Sequence, residues 1–212
     1  MSASPVAIPP GLAHTLRLRD GAAVLLRPIS PEDTDALAAF VARLSDDSRA
    51  RRFLRAVDEL SADELAYLTR IDHEDHEAIV ALDQDDGRIR GVARFVRLPA
   101  RDRVAEAAVA VEDDWQNRGL GSALLDELAR RAGARGIRRF AVLMRADNRR
   151  AAELFGGLGT VVSRGVQDGE LEMEIALPAG VGADLARALA AAAADSLLCP
   201  WELLGARGRR PR

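Results

Sequence analysis

A strand, a turn with two glycines and a helix follow one another over residues 104–132, and this unit constrains the fold more than any other segment. The apolar run at 104–111 predicts the strand, and leucines one turn apart predict the helix at 119–132. A further strand is predicted at 140–144. Two strands joined by a helical crossover lie parallel in one sheet. We therefore expect a sheet with helices packed on it.

Shorter elements are predicted on both sides of this unit. Asp20-Gly21 indicates a hairpin turn, and Ser30 and Ser61 are predicted helix N-caps, the second in a capping box with Glu64. A short helix is expected at 148–155, and further strands at 15–19, 23–27, 78–82, 89–98, 160–163 and 170–177. The predicted fold class is α/β (α+β), a mixed and mostly antiparallel central sheet flanked by helices.

The composition limits both location and chemistry. The chain has 212 residues, of which 48% are apolar and 30% charged, the profile of a globular protein. Its net charge of -3 gives no general attraction to nucleic acid or membranes, and no apolar run reaches the roughly 20 residues of a membrane span. Cys199 is the only cysteine, and we expect a cytoplasmic protein. All 30 basic residues are arginine, which excludes lysine nucleophiles and the lysine of a P-loop.

Three parts are predicted along the chain. Residues 1–13 form a flexible lead-in rich in proline, glycine and alanine, and residues 14–178 form the folded domain. Pro178 ends that domain. Residues 179–212 are expected to hold an alanine-rich helix and a basic tail.

The residues that open the crossover helix are the candidate phosphate site. The N–H groups at a helix N-terminus are unpaired and carry partial positive charge, and Gly119 and Gly121 allow the backbone to approach a pyrophosphate. Leu124 stands where a dinucleotide fingerprint requires a third small residue. From these residues alone, an ordinary turn that uses its glycines for backbone geometry is the alternative. The candidate loop residues are Gln116, Asn117, Arg118, Gly119, Leu120, Gly121 and Ser122.

Two segments carry a resemblance to a known family. Gln116-x-x-Gly119-x-Gly121, after a strand and at the start of a helix, resembles the acetyl-CoA pyrophosphate signature of the GNAT superfamily. Asn148-x-x-Ala151 resembles that family's segment on the following helix. The resemblance implies the GNAT fold, acetyl-CoA as co-substrate and Asn148 as a cofactor-binding residue. It also implies that the backbone of Val109, Ala110 and Val111 binds the pantetheine arm.

Further motifs narrow the resemblance. Leu44-Ser45-x-x-Ser48-x-x-x-Arg52-Phe53, residues 60–65 and residues 71–81 are similar to the GNAT domain of Pat-type bacterial protein lysine acetyltransferases. This resemblance implies transfer of acetyl to a protein lysine, with an acyl-CoA synthetase as the usual class of acceptor protein. Acetylation of a small amine and a non-catalytic acyl-CoA sensor are the alternatives.

Glu106 is the candidate general base. A lysine amine with a pKa of about 10.4 is only ~0.04% neutral at pH 7, which costs roughly 4.6 kcal/mol, so a nearby carboxylate that accepts its proton is useful. Glu106 is the only charge in its apolar strand, on one face with Ala108 and Ala110. We expect burial there to raise its pKa. The Pat resemblance implies the same residue, and an exposed glutamate near the end of an edge strand is the alternative.

Two further residue sets bear on the chemistry. Many GNAT enzymes place a tyrosine after the Asn-x-x-Ala segment to protonate the leaving thiolate, but this chain has Phe155 there. The general acid is therefore water or a group that the sequence does not identify. Residues 72–76 combine aspartate, glutamate and histidine, but we interpret them as a solvated surface and expect no metal site.

Overall fold

The computed structural model describes residues 13–54 and 59–178, and within them eight strands form one sheet. The spatial order is β1-β2-β3-β4-β5-β6-β8-β7. Only β5 and β6 are parallel, and every other neighbouring pair is antiparallel. The strands are β1 (His14–Arg17), β2 (Ala23–Pro28), β3 (His76–Asp83), β4 (Ile89–Arg97), β5 (Val104–Val111), β6 (Arg139–Arg145), β7 (Thr160–Gln167) and β8 (Glu170–Ala176).

Five α-helices accompany the sheet in the described residues, together with 3-10 turns at Pro31–Asp33 and Asp113–Trp115. None of the helices in these ranges is long and apolar enough to cross a membrane. The predicted alanine-rich helix and tail at 179–212, and residues 1–12 of the lead-in, lie outside the described residues. The helices are α1 (Thr34–Arg43), α2 (Asp46–Phe53), α3 (Ala62–Thr69), α4 (Leu120–Ala134) and α5 (Arg149–Gly156).

Most of the predicted elements are confirmed. The strand at 104–111 is β5, the crossover helix is α4, and the capping box at Ser61 and Glu64 begins α3. The prediction for β7 is too short, because the strand runs to Gln167. The additional residues of β7 are held in the strand by pairing with β8. The sequence does not indicate them, because every side chain of β7 is exposed and the strand therefore shows no alternation of apolar and polar residues.

The sheet has a helical layer on each face. On one face, α4 buries Leu120, Leu124 and Leu128 against strand residues that include Ala105 and Ala107. On the other face, α1 buries Leu37, Phe40 and Val41 against Ala78, Val80 and Val92, and Phe53, Leu65 and Leu68 pack at the border of this cluster. Because side chains alternate along a strand, β5 contributes its odd-numbered residues to the α4 face and its even-numbered residues to the α1 face.

The sheet divides between β5 and β6. Their pairing covers only Val104↔Arg139, Ala105↔Phe140 and Glu106↔Ala141. Beyond Glu106, β5 stays paired with β4 as far as Val111, and β6 stays paired with β8 as far as Arg145. The two halves of the sheet therefore separate and leave a gap along the second half of β5.

Candidate active site

The edge of β5 that borders the gap presents free backbone groups. Glu112 N donates to Arg90 O at 2.9 Å, and Leu98 N donates to Val104 O at 3.0 Å, which fixes the hydrogen-bonding phase of the β4–β5 ladder. In an antiparallel ladder with this phase, Val109 and Val111 direct their N–H and C=O groups away from β4, toward the gap. Ala110 has the opposite phase and pairs with Val92. Of the three predicted pantetheine-binding residues, Val109 therefore offers both its backbone groups, Val111 offers only its N–H because its C=O accepts from Gln116 Nε2, and Ala110 offers neither.

Helix α4 begins next to the C-terminal end of β5, where a Cβ on Gly121 would lie 3.8 Å from Val111 Cγ2. Gly119 is its N-cap and has no side chain to cap the helix, and Ala123 N is the first amide that donates within it, to Gly119 O at 3.0 Å. Among the described residues, no hydrogen bond uses the N–H groups of Leu120, Gly121 or Ser122. Three amides at the positive end of a 15-residue helix are a suitable anion site.

The two glycines have structural reasons that the sequence did not reveal. Gly119 has φ +88°, a left-handed conformation that glycine adopts without strain. A Cβ on Gly121 would lie 3.1 Å from Leu154 Cδ2 of α5. The close packing of α5 against the start of α4 therefore leaves little room for a side chain at residue 121. Leu120 is a core residue, so only its backbone is available to a ligand.

The side chains of the predicted loop are already engaged with their neighbours. Gln116 Nε2 donates to Val111 O at 3.1 Å, and Gln116 Oε1 accepts from Arg150 Nη1 at 2.5 Å. Asn117 Oδ1 accepts from Arg150 Nη2, and Asn117 itself has φ +64°. Arg150 therefore ties the loop to α5.

Arg118 and Asn148 also make intramolecular contacts. Arg118 Nη1 lies 3.1 Å from Asp20 Oδ2 in the β1–β2 hairpin, and its guanidinium lies 4.8 Å from the ring centroid of Trp115. Asn148 is the N-cap of α5, where its Oδ1 accepts from Ala151 N at 3.2 Å. Arg118 therefore ties the loop to the β1–β2 hairpin, and Asn148 caps α5.

A cavity of about 260 Å³ opens on the α1 face of β5. Phe53, Leu60, Leu68 and Val96 form its apolar wall. Its polar lining residues are Arg52, Glu64, Tyr67, Arg94 and Glu106.

Glu106 lines this cavity together with Ala108, as the strand alternation predicts. The expectation that Glu106 is buried is wrong, because its side chain is exposed. The reason is that α2 and α3 surround the cavity without covering the strand, and the small side chain of Ala108 leaves the carboxylate open to it. The exposure of Glu106 agrees with the alternative of an exposed glutamate, whereas at this residue β5 pairs with β6 as well as β4 and is not an edge strand.

A buried arginine forms part of the cavity wall. Arg94 Nη1 bonds His76 Nε2 at 3.1 Å, and Arg94 Nη2 donates to Leu68 O at 3.2 Å. Burial, together with the charge of Arg52, lowers the pKa of Arg94 to about 9, so Arg94 is a cation at neutral pH. Burial, and then the charge of Arg94, lowers the pKa of His76 to about 4, which leaves a neutral imidazole as the hydrogen-bond acceptor.

Sequence reasoning did not identify Arg52, Tyr67 and Arg94 as residues of the site. A signal was present for Arg52, which belongs to the Pat-like segment at residues 44–53. Tyr67 is the only tyrosine of the chain, and its ring centroid lies 5.2 Å from that of His76.

Phe155 is only 4% exposed and belongs to the core on the α4 face of the sheet, so its side chain has a packing role there. Within the described ranges, no three His, Cys, Asp or Glu side chains are arranged to hold a metal ion.

Comparisons with known proteins agree with this geometry. The profile of the acetyltransferase (GNAT) family matches residues 40–159, more than half of the chain. An acetyltransferase of Pseudomonas aeruginosa is 35% identical over 153 residues, which cover 71% of this chain and 82% of that protein. Acetyltransferase Pat of Mycolicibacterium smegmatis is 32% identical over 146 residues, 69% of this chain but only 44% of Pat. The GNAT domain of S. lividans PAT superposes with a TM-score of 0.73 at 32% identity, covering 80% of this chain and 99% of that domain.

Proposed function

The chain belongs to the GNAT acetyltransferase family, with acetyl-CoA as its co-substrate, and from this premise we propose that it acetylates the side-chain amine of a lysine in another protein. The sequence motifs that resemble Pat-type enzymes support this choice of acceptor. So does the similarity to Pat and to the GNAT domain of S. lividans PAT.

The shape and lining of the cavity carry the proposal. A lysine side chain has four methylene groups that favour apolar walls, and Phe53, Leu60, Leu68 and Val96 supply them. Its terminal amine needs a proton acceptor, and the Glu106 carboxylate lines the same cavity. An aminoglycoside has polar groups along its whole length, and the apolar wall would leave the groups beside it without partners.

The features of the gap suit the co-substrate. We expect the N–H and C=O groups of Val109 and the N–H of Val111 to pair with the amides of the pantetheine arm as a strand would, whereas Val111 O already accepts from Gln116 Nε2. The unpaired amides of Leu120, Gly121 and Ser122 are the groups that would bind the pyrophosphate, without a lysine. Gln116, Asn117 and Arg118 keep this loop in position, and Asn148 does the same for α5.

The chemistry follows from these positions. Glu106 accepts the proton of the attacking amine, directly or through a water molecule, so that the neutral amine can attack the thioester carbonyl. The N–H of Val109 faces the gap and is our candidate donor to the carbonyl oxygen as negative charge develops on it. The C–S bond then breaks, and the leaving thiolate takes a proton from water or from the Tyr67 hydroxyl.

The test begins with the acceptor. Purified protein and isotopically labelled acetyl-CoA are added to a lysate, to a panel of acyl-CoA synthetases and lysine peptides, and to a panel of small amines. Mass spectrometry is expected to find label on lysine side chains of a few proteins. Turnover of small amines alone would contradict the protein-lysine proposal.

Glu106→Gln tests the base. The substitution keeps the volume of the side chain but removes its proton-accepting ability, and we predict that kcat falls by about 100- to 10,000-fold. The affinity for acetyl-CoA should stay within about twofold, because the carboxylate acts on the amine. Glu172→Gln, which changes an exposed glutamate on β8 outside the cavity, is the matched control. A kcat within about threefold of wild type in Glu106→Gln would show that the base lies elsewhere.

A further inference from the structure

Helix α2 brings two residues to the cavity without being anchored by its own burial. Its sequence from Asp46 to Phe53 is strongly polar, and none of its residues is fully buried. An eight-residue helix of this kind is only marginally stable by itself, so contacts at its ends must fix its position.

Its N-terminal end is fixed by Asp113, in the turn that connects β5 to the phosphate loop. Asp113 accepts from Ser45 N at 3.0 Å, from Ser45 Oγ at 2.8 Å and from Ser48 Oγ at 2.8 Å. Partial burial works against the charge of Asp113, but these hydrogen bonds prevail and lower its pKa. Gln116 of the loop adds a weaker contact, Nε2 to Ser48 Oγ at 3.4 Å. Ser45 and Ser48, which belong to the Pat-like segment at residues 44–53, therefore anchor α2 to the turn that leads to the loop at residues 116–122.

The C-terminal end of α2 places Arg52 in the same cavity as the candidate base. Arg52 and Glu106 line the same cavity, and the guanidinium lies 5.2 Å from the Phe53 ring centroid. In the described part of the chain, neither Arg52 nor Glu106 forms a hydrogen bond or ion pair through its side chain with another residue. Burial lowers the pKa of Arg52, and the negative charge of Glu106 opposes that effect. Arg52 thus shares the cavity with Glu106, close enough for the two charges to interact.

We propose that Arg52 is a positioning residue that orients the exposed Glu106 carboxylate toward the acceptor amine, and that α2 holds Arg52 there through Asp113. A glutamate side chain that projects from a strand into an open cavity samples several rotamers. A guanidinium in the same cavity favours the rotamers that bring the carboxylate closer to it. The proposal rests on the proposed function, because it assigns Arg52 a part only in the step that Glu106 performs.

The experiment is a double-mutant cycle with whichever acceptor the wild type acetylates. Arg52→Gln is expected to lower kcat by about 10- to 100-fold, the order of loss that a misplaced catalytic group produces, with the KM for acetyl-CoA within about twofold. Arg52→Lys keeps the positive charge and should recover most of the rate. In a Glu106→Gln background, Arg52→Gln should change the residual rate by less than about twofold, because the group that it positions is no longer a base. Arg51→Gln is the matched control, since Arg51 lies on the same helix, pairs with Asp47 and does not line the cavity.

The double-mutant cycle and its control show whether Arg52 acts through Glu106. An equal loss from Arg52→Gln in both backgrounds, or an equal loss from Arg51→Gln, overturns the proposal. Asp113→Asn should lower kcat in the same direction and add little to Arg52→Gln, and full additivity would show that Asp113 does not act through Arg52. Circular dichroism and acetyl-CoA binding confirm that the variants are folded. If Glu106→Gln lowers kcat and Arg52→Gln does not, only this proposal fails, whereas a wild type that acetylates no protein lysine contradicts the proposed function itself.

Discussion

His76 should make the stability of the protein depend on pH in a range where carboxylates contribute little. Its pKa falls from 6.5 to about 4 in the folded protein, because burial and the Arg94 guanidinium disfavour the imidazolium. The unfolded chain therefore binds the proton first as the pH decreases. The contribution of His76 to stability is complete above about pH 6.5 and is lost progressively down to about pH 4. Between pH 7 and pH 5, this linkage lowers the free energy of unfolding by about 2 kcal/mol.

Urea unfolding at a series of pH values measures this effect. The matched variant is His76→Gln, whose amide oxygen can still accept from Arg94 Nη1 but does not titrate. We expect the variant to lose about 2 kcal/mol less than wild type between pH 7 and pH 5. Equal losses in the two proteins would refute the reasoning, since the titration would then belong to other groups.

Two further predictions concern glycines. Gly119→Val forces a branched residue into φ +88° and should cost about 1–3 kcal/mol of unfolding free energy while weakening acetyl-CoA binding in calorimetry. Gly136→Val, at φ +76° beyond the other end of α4, should be destabilised similarly but keep its affinity, and equal affinities in both variants would contradict the loop assignment. Gly159→Ala would place a Cβ 2.1 Å from Ala176 O, so we expect a loss above about 3 kcal/mol in urea unfolding. Gly165→Ala has open space around it and should stay within about 1 kcal/mol of wild type; comparable losses would contradict the packing argument.

The sequence was sufficient for the elements whose signals are local. The apolar run of β5 and the capping box at Ser61 depend on neighbours within a few residues, and both are confirmed. The parallel pairing of β5 and β6 follows from the general rule for a helical crossover and is also confirmed. The positions of Glu106 and Ala108 on one face also follow from simple alternation.

Features set by distant contacts could not be predicted in this way. The exposure of Glu106 depends on how far α2 and α3 stand from β5, and α2 is held by an aspartate more than 60 residues away in the chain. Arg94 is one of three arginines in β4, and the sequence gives no pattern that distinguishes it as a cavity residue. The close approach of Leu154 to Gly121 is likewise a packing fact that a glycine motif does not reveal.

The separation of β5 from β6 after Glu106 gives the free protein an edge strand in the middle of its sheet. Such an edge invites pairing with any extended chain, and most proteins cover or charge their edges to prevent it. Here the gap is bordered by strands on both sides, by β5 and by β6, so the exposed edge lies within the sheet and not at its periphery. If the pantetheine arm pairs with Val109 and Val111, the co-substrate acts as a missing strand. Binding would then join the two halves of the sheet mechanically, and each release of CoA would uncouple them again.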